Sequence, residues 1–430
     1  MAWLSFPRAQ GLGRDFQLTF AISALEALYY AAIGVVIITY TLELALLRRS
    51  SPSPKSRMIS QVVPTVSLVI PTYNEASVIG QKLENVLQLD YPREKLEVVV
   101  VDSASSDETV SIVKNFAGEH RREINLVLIE QPVRRGKSEA INEALRRIRS
   151  EVMVLTDADV TFPPLSVRKL VENFEGSEIG AVSGVEVPMG GKSFLAGIEA
   201  DYRRIYTAIR MAEAQTDTPF MCESELSAYK RELLEPLRPG VVCDDVELTV
   251  TVRSKGFKAL YASDVSFLET EAGKLGPKLQ HKLRRGMNNQ HALLHNSKVM
   301  FNRSFGRYGT IVFPFEFFVH IVSPILLSLA LIFLFGFTVF SPVSAIIAIA
   351  ATAILSLPAL AILHSLVGRY QGTDVGRLHG TGSWVFGAVA FLGFQLVLLV
   401  GLLKLGFKGP QTNWQQIPGT RVPITVEASR

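Results

Sequence analysis

Between residues 65 and 268 short apolar runs rich in β-branched residues alternate with amphipathic stretches. In order they are TVSLVIP, SVIGQKLENVLQL, LEVVVVDS, ETVSIVKNFAGEH, INLVLIE, KSEAINEALRRI and EVMVLTDAD. Near-continuous hydrophobic strands separated by helices with one apolar stripe are what βαβ units produce, because each strand is covered on both faces. The pattern predicts an α/β domain built on a mostly parallel sheet, and each predicted strand ends in a polar cluster. In an open parallel sheet a ligand binds beyond those C-terminal ends.

The flanks follow another pattern. Residues 16–47 form one mostly apolar stretch, long enough to cross the hydrocarbon core as a helix, and it ends at Arg48-Arg49. Its length, its two interrupting glutamates and the lack of a small-residue cleavage pattern favour an uncleaved anchor over a signal peptide. After a Ser/Pro-rich linker at 51–64 comes the α/β domain, expected over 65–280, then a polar amphipathic region over 281–310. Three further apolar stretches occupy 311–340, 343–367 and 384–405, within a membrane region of 311–407 that leaves a tail over 408–430. The basic residues after the first helix, with Arg369 and Arg377, place the middle domain in the cytosol of a multi-pass cell-membrane protein. Three full crossings would then put the tail outside despite Lys404, Lys408 and Arg421, so one segment is expected to be interfacial or re-entrant.

Composition changes this picture little. Of the 430 residues 48% are hydrophobic, in keeping with membrane insertion. The net charge of +4 is carried in short basic clusters rather than a broad face, which argues against nucleic-acid binding and suits membrane lipids or diphosphates. Two cysteines, Cys222 and Cys243, exclude a disulfide framework and a Cys/His zinc site.

The candidate chemistry lies in six clusters. Pro71-Thr72-Tyr73-Asn74-Glu75 ends the first strand and opens a helix, as a capped turn also would. Asp102-Ser103-Ala104-Ser105-Ser106-Asp107 follows the next strand; its first carboxylate suits a base imide N–H, and an N-cap cluster reads equally well. Arg134-Arg135-Gly136-Lys137 leads into a helix N-terminus, a place for an anion, without the spacing of a P-loop. Asp157-Ala158-Asp159 sets carboxylates two apart at a strand end, where Mg²⁺ or Mn²⁺ bridging phosphates would relieve their repulsion, although a lone DxD is also common in loops. Asp244-Asp245 opens a helix, as acidic residues favoured by the helix dipole do, or supplies a general base for an acceptor hydroxyl. Lys282-Leu283-Arg284-Arg285 is either a headgroup-facing helix or a diphosphate clamp.

In this order the clusters resemble the family-2 glycosyltransferases, in particular the membrane-integrated branch of poly-N-acetylglucosamine, hyaluronan and cellulose synthases, over roughly residues 63–289. The resemblance implies a GT-A-type, Rossmann-like domain inserted between transmembrane helices and inversion at the anomeric carbon. It assigns Pro71, Tyr73, Glu75, Asp102 and Lys137 to the nucleotide pocket, Asp157 to the donor, Asp159 to a Mg²⁺ or Mn²⁺ ion and Asp245 to the general base. Arg284 and Arg285 would hold the leaving diphosphate, with Asp244, Gln280 and Ser227 of the stretch 224–231 on the acceptor side. Trp414 and Arg421 are similar to a Trp-containing tail of related synthases, which favours a cytosolic C-terminus. Two departures concern the acceptor: no Trp follows Arg284-Arg285, where processive synthases carry one, and Cys222-Glu223 replaces a Gly-rich element.

The expected reaction is transfer of a sugar from a nucleotide-sugar, UDP-linked by preference, to a growing glycan at the membrane, serving polysaccharide synthesis and export. A lipid acceptor, polyprenyl phosphate or glycolipid, uses the same donor half, and a phosphate acceptor would need no strong base. A non-catalytic nucleotide-binding subunit is disfavoured by the intact Asp102, Asp159 and Asp245.

Overall fold

The computed structural model describes residues 9–49, 63–175, 178–188, 194–269, 275–370 and 384–410. The predicted strands appear as β1 (Val66–Thr72), β2 (Leu96–Asp102), β3 (Asn125–Glu130) and β4 (Val152–Thr156). After the N-terminal helix α1 (Ala9–Arg49), the intervening helices are α2 (Ile79–Leu87), α3 (Thr109–Glu119) and α4 (Lys137–Arg147). Beyond them lie β5 (Val160–Thr161), α5 (Ser166–Glu172), β6 (Ile179–Pro188), α6 (Phe194–Thr216), β7 (Leu226–Lys230), α7 (Asp244–Ser254) and β8 (Lys258–Glu269).

All eight strands join one mixed, mostly parallel sheet in the order β3-β2-β1-β4-β7-β6-β8-β5. The parallel pairs are β1 with β2 and β4, β2 with β3, and β6 with β8. The antiparallel β7 is inserted between β4 and β6. Alternation explains why β1 reads as continuously apolar. Val66, Leu68 and Ile70 pack on one face with Ile79 and Leu83 of α2, while Val69 joins Ala140, Ile141 and Ala144 of α4 on the other.

The chain then forms α8 (Leu275–His295), α9 (Phe313–Phe317), α10 (Ser323–Thr338), α11 (Pro342–Tyr370) and α12 (Trp384–Lys408). The amphipathic helix α8 thus begins ahead of the boundary at 281, with Leu275 and Leu279 exposed and its buried residues lying from Gly286 onward. Among the described residues four helices are long and apolar enough to cross a membrane: Gln17–Arg49, Tyr308–Thr338, Pro342–Tyr370 and Ala390–Lys408. The first packs on the next two through Tyr29, Ala32, Ile33, Ala330, Phe337, Ala345 and Ala348.

Helix α12 is placed differently. Phe394 meets the Tyr202 ring of α6, and Leu398 and Gly401 lie against Gly286 and Met287 of α8. The Gln290 amide of α8 donates to the carbonyl of Leu398 at 2.8 Å. Helix α12 therefore runs along the domain's own helices. The tail residues Trp414 and Arg421 lie outside the described residues.

Candidate functional site

The β1 end turns sharply at Asn74, whose φ of 54° is tolerated by asparagine better than by most side chains. Its backbone N–H donates to Ser105 Oγ (2.8 Å), and its side-chain oxygen accepts from the Ser106 N–H (2.8 Å). The loops after β1 and β2 are thereby tied together. Pro71, Tyr73 and Glu75 line a cavity of about 1450 Å³, with the Arg134 guanidinium 3.7 Å from the centre of the Tyr73 ring. Asp102 is turned away from that wall. Its carboxylate accepts from the Ser105 N–H (2.9 Å), the Ser105 hydroxyl and Thr72 Oγ1 (3.3 Å), and Ser103 lines the cavity beside it. Asp102 thus braces the loop.

Lys137 is the centre of the site. Gly136, with φ at 86°, lets the chain enter α4 so that Lys137 stands in its first turn. Its ammonium lies 2.7 Å from Asp157 and 3.4 Å from Asp244, and donates to Ser224 Oγ at 2.7 Å. Burial alone would lower its pKa, but Asp157, Asp244, Asp245 and Glu225 outweigh burial and hold it raised and charged. Two acidic motifs far apart in sequence meet at this one cation.

Asp159 is buried at the cavity wall, one residue beyond Ala158 in the loop that follows β4. Lys82, on the apolar face of α2, donates from beneath to Thr156 Oγ1 (2.7 Å) and the Val160 carbonyl (2.8 Å). One buried lysine amine thus ties both ends of the Asp157-Ala158-Asp159 loop. Among the described residues no group of three metal-ligating side chains occurs. Two carboxylates on an open cavity suit a divalent ion that takes its remaining ligands from phosphate and water, so the residues present fit Mg²⁺ or Mn²⁺.

Asp245 Oδ1 accepts from the Ser224 N–H at 2.9 Å. Burial, then Asp244 and Glu225, push its pKa well above the usual carboxylate range. Asp244 is raised by burial and Asp157, against the pull of Lys137. Gln280, Arg284 and Arg285 reach the same cavity from α8. Arg285 Nη2 is held by Glu225 (2.6 Å) and both Glu269 oxygens (3.0 Å), and burial draws Arg284 down to about 10. Ser227 is fully buried on β7, donating to the Glu223 carbonyl, and does not reach the cavity.

The sequence had not pointed to Lys82, Arg203 or Glu269. Only Lys82 carried a signal: a lysine at the centre of the apolar stripe Ile79, Leu83 and Val86 must have fixed partners to be buried. Arg203 and Glu269 enter from α6 and β8, whose placement no local pattern encodes.

The fold and the shared acidic-basic pocket define a GT-A domain. Residues 67–238 match the family described as Glycosyl transferase family 2, and the chain carries a family-2 glycosyltransferase domain. An N-acetylglucosaminyltransferase of Rhizobium sp. (strain N33) is 27% identical over 251 residues, 54% of this chain and 54% of that protein. Poly-beta-1,6-N-acetyl-D-glucosamine synthase of Staphylococcus epidermidis is 25% identical over 41% of this chain and 42% of its own length. The chain thus spans about half the length of these curated relatives. A mannosyltransferase of Pyrobaculum calidifontis, solved with GDP-Man and Mn2+, is 27% identical with a TM-score of 0.70, over 88% of this chain and 98% of that one.

Proposed function

We propose that the protein is an integral-membrane, inverting glycosyltransferase that moves a sugar from a nucleoside-diphosphate sugar to a hydroxyl acceptor at the membrane. The observation that carries this reading is the meeting of Asp157, Asp244 and Ser224 at Lys137, in a cavity shared by Asp159, Asp245 and the membrane helices. The nucleotide lies beside Pro71, Tyr73 and Glu75. A Mg²⁺ or Mn²⁺ ion held by Asp159, with Asp157 beside the donor, would offset the charge of the diphosphate. Lys137, Arg284 and Arg285 add cationic groups that stabilise the leaving diphosphate. Asp245, anchored through one oxygen to Ser224, takes the acceptor proton through the other, and its raised pKa makes it the stronger base.

The catalytic domain lies at the cytosolic face, next to Arg48 and Arg49. The contacts of α12 with α6 and α8 support α12 as the interfacial segment, leaving three crossings and a cytosolic tail. The curated relatives suggest an N-acetylglucosamine donor and the archaeal neighbour a GDP-linked one, so the decisive assay uses a panel of UDP- and GDP-sugars. Purified protein with Mn²⁺ is expected to release nucleoside diphosphate from one of them, and Asp159→Ala to abolish release. Absence of turnover across the panel contradicts the reading.

A further inference from the structure

The cavity does not end at the donor site. It continues past Arg203 and Lys282 into the space between α1, α10, α11 and α12, where Val36, Ala330, Leu334, Ala353 and Leu363 form its walls. Leu331, Ile349, Leu360 and Leu392 are cavity residues that are also exposed on the outside of the helices. The apolar end is therefore open sideways, toward the region that hydrocarbon would fill. A hydrated polymer channel needs walls closed to lipid.

Between the two ends sits Gln395, in an otherwise apolar part of α12. It is 3% exposed, lines the cavity, and among the described residues neither its amide oxygen nor its nitrogen has a hydrogen-bond partner. A buried amide with both ends unmade is costly unless a ligand supplies the missing donor and acceptor. The platform for a polymer is missing for a steric reason. The position after Arg285 is Gly286, where a Cβ would already stand 3.0 Å from Leu398 of α12, leaving no room for an indole.

Charge decides the head of the occupant. Arg203, Lys278, Lys282 and Arg285 are each ion-paired to a glutamate among Glu186, Glu199, Glu225 and Glu269. Arg284, Arg210 and Lys404 also line the cavity, but Asp244, Asp245, Glu223 and Glu316 stand against them, so the passage offers little excess positive charge to an anionic acceptor.

We infer that the acceptor is a membrane lipid with a neutral, hydroxyl-bearing head that pairs with Gln395 and a hydrocarbon tail lodged between α1, α10 and α11. The inference rests on the donor-site reading above. The head-group oxygen forms a bond to the anomeric carbon and gives its proton to Asp245. The bond from that carbon to the diphosphate oxygen breaks, and the nucleoside diphosphate leaves with the electron pair.

The test uses the full chain in nanodiscs with Mn²⁺ and the donor it turns over. The acceptors are octyl, dodecyl and hexadecyl β-glucoside, free glucose and cellobiose, and farnesyl phosphate. A buried methylene contributes on the order of fourfold, so kcat/KM is expected to rise at least tenfold from octyl to dodecyl glucoside, with free sugars inactive. Ala353→Trp, which fills the apolar end, and Gln395→Leu should each lower transfer to dodecyl glucoside at least tenfold. Donor hydrolysis should be unchanged in both, which also shows that they fold. Equal use of free and alkyl sugars, preference for farnesyl phosphate, or unaltered transfer by both variants overturns the inference while donor turnover leaves the proposed function standing. No donor turnover by the wild type overturns both.

Discussion

At the scale of single residues, the site depends on a few buried polar and charged groups whose partners are fixed. Lys82 is the least obvious of them, since it touches neither cavity nor cation site and acts through the loop it holds. Groups that orient a metal-binding loop from behind typically change metal affinity 10- to 100-fold when removed. Lys82→Met is therefore expected to raise the Mn²⁺ concentration for half-maximal activity by about that factor; an unchanged Mn²⁺ titration contradicts the assignment. Asp244 contributes to the raised pKa of its neighbour Asp245. A base must be unprotonated to act, so activity falls as pH drops through its pKa, and a raised pKa places that acid limb high. Asp244→Asn removes a raising influence, and the acid limb of kcat/KM should move to lower pH; a move to higher pH refutes the coupling. The clusters at 71–75, 134–137, 157–159 and 244–245 were legible because each ends a strand or opens a helix. Asp102 was legible as an acid but not as a loop brace, because the bond from Ser105 that turns it inward is one of two equal local options.

Among the elements, β1 to β4 and α2 to α4 follow from the chain's alternation because each strand is buried on both faces and each helix has one stripe. The second half was less legible. The short strand β7 pairs antiparallel with both β4 and β6, and the long helix α6 separates β6 from it, so pairing there is set by tertiary contacts. Helix α6 is bound to the membrane helices by charge. Arg210 is buried between Glu213 (2.6 Å) and Glu316 (2.7 Å), the latter in α9. Removing one partner of such a group strands the others, at a cost of about 3–5 kcal/mol. Arg210→Met should lower the unfolding midpoint of detergent-purified protein accordingly, and a midpoint within error of wild type would show the network to be dispensable.

For the whole molecule, the positive charge near 404–421 conflicted with three C-terminal crossings, and the conflict could not be resolved from hydropathy, since an interfacial helix covered by a protein domain is as apolar as a spanning one. The contacts of α12 with α6 and α8 support the topology proposed above. Cys222 and Cys243 are buried, so a cysteine introduced as Lys408→Cys reports on its own surroundings. It should react with an impermeant maleimide in inside-out vesicles and not in intact cells; the reverse pattern would place the tail outside. One cavity runs from the proposed donor site to the apolar space between α1, α10 and α11, so in the proposed reading chemistry and acceptor delivery share a wall. The most direct test of that joint site is kcat for sugar transfer by Asp245→Asn, measured beside its affinity for the donor. Loss of a positioned base predicts a fall in kcat of roughly 10²–10⁴-fold with donor affinity preserved, whereas wild-type kcat in this variant would contradict the account.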